Sequence, residues 1–138
     1  MGPAGRCGSP QTAPRLNAAE PPIALFYAVS ADGKRFTPRT RIPTEGIPHH
    51  PQIAIGPDGS LTIAWDEGAN GKRQAAMART TVDATAGSPL GRTVVSDSAV
   101  YPVVAATNDA TLVAWTSGAS SASVIRVARV TAPVVPTR

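Results

Sequence analysis

Residues recur along this chain at a spacing of about fifty, and that period constrains the fold more than any other feature. Trp65 and Trp115 lie 50 residues apart, within TIAWDEG and LVAWTSG. Ala28, Ala78 and Ala128 share the spacing, in YAVS, MART and VARV. Pro38 and Pro89, Arg41 and Arg92, and Pro51 and Pro102 are each 51 apart. A period of this length marks supersecondary units that bury their apolar faces against one another.

The contents of one period identify the unit as strands. PQIAIG is a short apolar run, and Pro57-Asp58-Gly59 supplies a turn after it. In SLTIAWDE, Leu61, Ile63 and Trp65 fall on one face and Thr62 and Ala64 on the other. Alternation beside an Asp-Gly turn predicts a hairpin. GANGK makes the next turn, RQAAMART a third strand, and GRTVVSD a fourth after a Gly/Ser/Pro loop. With 12 Gly, 14 Pro and only 4% aromatic residues, no window sustains a helical period. The expected class is all-β, with antiparallel four-stranded blades of propeller type. The units are a partial blade over 23–46, a full blade over 47–98 and a partial blade over 99–130. The first keeps two strands, Ile23 to Ser30 and Phe36 to Ile42. The third has Val103 to Ala106, Thr111 to Trp115 and Val124 to Val130. About two and a quarter blades leave the ring incomplete, since closure takes roughly 4–8. A fragment of a longer propeller is expected, with a ring completed by a homo-oligomer, or strands collapsed into a smaller open sheet or sandwich, as the alternatives.

Residues 1–22 read as a disordered Pro/Gly/Ala-rich tail and 131–138 as a frayed end. Cys7 is the single cysteine, so no intramolecular disulfide forms. The net charge of +4 comes from scattered Arg rather than a basic cluster, which argues against a nucleic-acid partner. No apolar run approaches a membrane span, and the apolar core of a secretory signal is missing. Either a cytoplasmic protein or an incomplete N-terminus follows, and localisation stays open.

The segment AVSADGKRFTPRTRIP, residues 28–43, adds a family signal. Ser30, Asp32, Gly33 and Phe36, followed by Thr37-Pro38, match an Asp-box with one Gly deleted. An Asp in such a turn accepts backbone N–H groups, and the aromatic is expected to pack beneath. On these residues and the period, the chain resembles the Asp-box (BNR) repeat proteins, the sialidase-like β-propellers. The box is a structural marker in that family, on the face opposite its active site. The resemblance also draws attention to Arg41-Ile42-Pro43, since an arginine in such a triplet binds the substrate carboxylate in sialidases. Here the triplet follows the box, and Arg41 aligns with Arg92, which has no such triplet. Arg41 is therefore read as a strand residue of the repeat.

Propeller topology gathers His49, His50, Asp66, Glu67 and Tyr101 on one face, with Arg73 nearby. These are the candidate ligand-binding residues. Two imidazoles and two carboxylates could polarise a glycan or bind a metal. Adjacent histidines in an extended segment point apart, however, and two His without a helping Cys leave a tetrahedral zinc site short of ligands. Asp66-Glu67 also open a turn, where acidic residues are ordinary. No cofactor is implied. Trp65 and Trp115, at matched strand ends, are expected in the core.

The resemblance implies a non-catalytic module or fragment, serving as a scaffold or binding a glycan or protein ligand. The alternative is part of an exo-α-sialidase, a glycoside hydrolase whose arginine triad, Tyr nucleophile and acid lie mostly outside this chain. A small oligomeric lectin is a third reading. It expects similar loops in each repeat, yet His49-His50 corresponds to Val100-Tyr101 and Asp66-Glu67 to Thr116-Ser117, which are not alike.

Overall fold

The computed structural model describes residues 23–81 and 90–131. The N-terminal tail, Cys7, the Gly/Ser/Pro loop and the end beyond Thr131 lie outside them. Among the described residues, nine strands form three antiparallel sheets in chain order, and no helix occurs. β1 (Leu25–Tyr27) pairs with β2 (Thr40–Ile42). β3 (Ile47–Ile55), β4 (Ser60–Ala69), β5 (Lys72–Thr81) and β6 (Gly91–Ser96) make a four-stranded sheet. β7 (Val100–Ala106), β8 (Ala110–Ser117) and β9 (Val124–Thr131) make the third. In each sheet the strands neighbour one another in sequence order, as hairpins dictate.

The middle sheet is covered on both faces. Leu61, Ile63 and Trp65 of β4, with Ala76 and Ala78 of β5, pack against Leu25, Tyr27 and Ile42 of the first sheet. The opposite face presents Ala64, Ala75 and Met77 to Val113 and Trp115 of the third. The alternation in SLTIAWDE thus separates two cores rather than a core and solvent. Small residues on the second face leave room for Trp115, and the Thr62 hydroxyl meets that of Thr111 at 3.4 Å. Both tryptophans are core residues, as their strand positions imply.

A hairpin turn and a bulge in each of β3 and β7 set the registers near the end of β4, and a further shift falls between Ala75 and Ala76 where β5 meets β6. Asn70 and Gly71 have φ of 52° and 74°, the left-handed pair of a two-residue hairpin loop, and they bring Glu67 opposite Gln74. β3 and β7 each carry a bulge, between His49 and Gln52 and between Val100 and Val103. At each bulge one residue takes positive φ, His50 at 48° and Tyr101 at 55°, and a proline follows. Pro51 and Pro102 have no N–H to leave unpaired there.

The first sheet is shorter than expected, because the chain between Ala28 and Arg39 is committed to a loop. Thr37 closes that loop: its Oγ1 accepts the Val29 N–H at 3.0 Å, and its own N–H donates to the Val29 carbonyl at 2.8 Å. The turn that begins at Ser30 is held by side-chain acceptors. Asp32 Oδ1 accepts the N–H groups of Lys34 and Arg35, and Ser30 Oγ accepts that of Gly33, whose φ is 71°. Phe36 differs from expectation. It is 65% exposed, because the turn is held by polar bonds and presents no apolar surface for the ring.

Trp65→Ala is expected to destabilise the chain by about 3–5 kcal/mol. Phe36→Ala should change stability by no more than about 0.5 kcal/mol. Urea unfolding of both variants checks the contrast.

Candidate functional site

At the end of β4 nearest the β4–β5 turn, two acidic side chains are fully buried, Asp66 and Glu67. Successive strand residues face opposite ways, so one carboxylate faces the third sheet while the other lies on the Trp65 side.

Asp66 gathers most of the expected residues. It is ion-paired with Arg73 across the hairpin. His50 Nδ1 lies 2.7 Å from Asp66 Oδ1, and the Tyr101 backbone N–H donates to the same oxygen at 3.3 Å. The rings of His50 and Tyr101 are 4.4 Å apart. The two bulges create this meeting, since each turns its residue out of the regular alternation. The same bulge brings His49 and His50 within 5.8 Å, where an unbroken strand would have directed them apart. His49 is exposed and faces Asp66 only through the backbone register. No three His, Cys, Asp or Glu side chains are arranged to hold a metal among the described residues.

Glu67 belongs to a separate cage. The Trp65 indole N–H donates to Oε2 at 2.9 Å, and the Glu45 backbone N–H donates to the same atom at 3.1 Å. Gln74 Nε2 donates to Oε1 at 3.0 Å, and Arg92 is ion-paired with it. Arg92 also reaches Glu45 at 3.1 Å and is itself only 14% exposed. Burial raises the Glu67 pKa, but the bonds from Trp65, Arg92 and Gln74 and the Arg92 charge outweigh it. The carboxyl is held below its ordinary 4.5.

Sequence reasoning missed Glu45, Gln74 and Arg92. Gln74 was recoverable, because the Asn70-Gly71 turn fixes its position opposite Glu67. Arg92 sits two strands away from Glu67, and no local pattern connects them.

The Ser30–Asp32 turn lies at the other end of β2 from Glu45. Asp32 is held below its ordinary 3.8, first by the Arg35 and Lys34 N–H bonds, then by Ser30. Arg41 pairs with Phe26 in register, and Ile42 is a core residue. Arg39 covers the Phe26 ring at 4.9 Å.

Chemically, the end of β4 has two buried carboxylates already matched by arginines, with an imidazole and a phenol at the surface. No protein-family model, no curated protein and no solved structure matches this chain.

The Glu67 environment has a pH signature. A carboxyl with a lowered folded pKa stabilises the fold fully above its unfolded value. That stability is lost as pH falls through the folded value. Acid unfolding of the wild type should therefore steepen below about pH 4.5, the ordinary glutamate value. Glu67→Gln should be less stable at pH 7 and flatter in acid. Thermal melts between pH 2 and 7 read both effects.

Proposed function

We propose that this chain is a non-catalytic, sialidase-like repeat module, a scaffold of blade-like sheets that binds a glycan or protein ligand at its loop ends. The observation that carries this reading is the state of Asp66 and Glu67. Each is fully buried and paired with its own arginine. A glycosidase acid must reach the leaving oxygen of its substrate. These carboxylates are spent on holding strands instead.

The repeat reading draws support from the bulges at His50 and Tyr101 and from the sequential sheets. The Ser30–Asp32 turn supports kinship with the Asp-box family through its hydrogen bonds, although the exposed Phe36 departs from that pattern. Exposed His49, His50 and Tyr101 offer polar and aromatic surface for a ligand.

The test is incubation of the full chain with a fluorogenic α-sialoside, alongside a glycan-binding screen. The proposal predicts no fluorophore release above buffer. Release that disappears in Tyr101→Phe would favour the sialidase reading and overturn this one.

A further inference from the structure

We propose that a second copy of this chain docks head to tail, laying its third sheet over the uncovered part of the middle sheet. The inference goes beyond the reading of the chain as a binding module, and each can fail without the other.

The third sheet turns one face to the middle sheet and the other to solvent. Val104, Val113, Trp115, Ala128 and Val130 take the first face. The strand registers put Val103, Leu112, Ala114, Ile125 and Val127 on the second. Ile125 is 71% exposed there and Val127 65%. A solvated sheet face carries polar residues, and the terminal unit of a repeat stack needs a polar outer face. This face is apolar instead. At the positions of Leu112, Ile125 and Val127 the middle sheet holds Thr62, Ala75 and Met77, all buried beneath the third sheet. Leu112 and Ile125 are bulkier than their counterparts, although no sheet among the described residues covers them.

The complementary gap lies on the opposite side of the stack. β1 and β2 have three residues each, and they cover β4 and β5 rather than β3. Ile53 and Ile55 sit opposite Ile63 and Leu61 in register, so they share the core face. Both are nonetheless exposed, Ile55 by 64%. An apolar groove of about 240 Å³ runs there, lined by Phe26, Ile42, Gln52, Ile53 and Ile63 among others. No residue lining it is charged.

The contacts within the chain name the occupant. The first sheet lies on one face of the middle sheet, and the third lies on the other, so the stack has a direction. On the side of the third sheet, β7 covers β3 and β4. On the side of the first sheet, β3 has no such cover. A second copy's third sheet brings β7 and β8 with their outer face free, which is the cover that β3 lacks. Docking it there repeats the step that already joins consecutive sheets. The two surfaces differ from each other, so the association is heterologous.

Charge permits the contact. The net charge of +4 favours separate chains. On the outer face, however, Arg129 is already ion-paired with Asp109, and the groove has no charge to set against it.

The test is the mass of the full chain by light scattering across a wide concentration range. Wild type should have the mass of two or more chains. Val127→Lys blocks the outer face and Ile53→Lys the groove. Each should weaken association about a hundredfold and leave a monomer. Near-ultraviolet circular dichroism from the buried Trp65 and Trp115 should match wild type in both variants, which shows them folded. Mixed in equal amounts, the two variants should form a pair of twice the chain mass. One keeps the outer face and the other keeps the groove, so a single intact contact remains. A self-complementary interface would not recover in this way. A monomeric wild type, an oligomer that survives either substitution, or no recovery on mixing overturns the docking. Sialoside turnover is independent of these outcomes and alone decides the non-catalytic reading.

Discussion

Two adjacent carboxylates buried on one strand, pointing to opposite sides, are the constraint on which the rest of this structure depends. A buried charge without a partner costs several kcal/mol, so each carboxylate must be met where it emerges. Asp66 meets Arg73, His50 and the Tyr101 backbone. Glu67 meets Arg92, Gln74, Trp65 and the Glu45 backbone. Asp66 thereby ties β4 to the start of the third sheet, while Glu67 ties it to the loop arriving from the first. The apolar cores on the two faces give these sheets their adhesion, and the carboxylates fix where each loop ends.

The strands were legible in the sequence because their signals are local. Alternation in SLTIAWDE and the Asn70-Gly71 turn act over a few residues, and the period of about fifty repeats them along the chain. The gathering of His50, Asp66, Arg73 and Tyr101 was legible for the same reason, since all lie near strand ends that the repeat aligns. What escaped depends on distance across the sheet or on backbone shape. Arg92 reaches Glu67 from two strands away. The positive φ of His50 and Tyr101, which makes their rings meet, is not what residues before proline ordinarily adopt. Phe36 was misjudged because its turn is closed by polar hydrogen bonds and leaves the ring exposed.

The middle and third sheets share their strand order and differ in their polar residues. The bulge, the tryptophan and the glycine at the end of the second strand recur. The polar cage does not: Glu67 and Gln74 correspond to Ser117 and Val124. The first interface is consequently filled by the chain's own carboxylate. The second holds an unpartnered indole N–H and, beside Ser117, an open cleft.

The most direct measurement of the central claim is a set of double-mutant cycles in urea, pairing Glu67→Gln and Asp66→Asn with Arg92→Met and Arg73→Met. If each carboxylate is neutralised by its own arginine on its own face, Glu67–Arg92 and Asp66–Arg73 should each couple by about 0.5–3 kcal/mol. The crossed pair Glu67–Arg73 should be additive within about 0.5 kcal/mol. Additivity in the two matched pairs would contradict the account, because the buried charges would then not be what holds the strand ends in place.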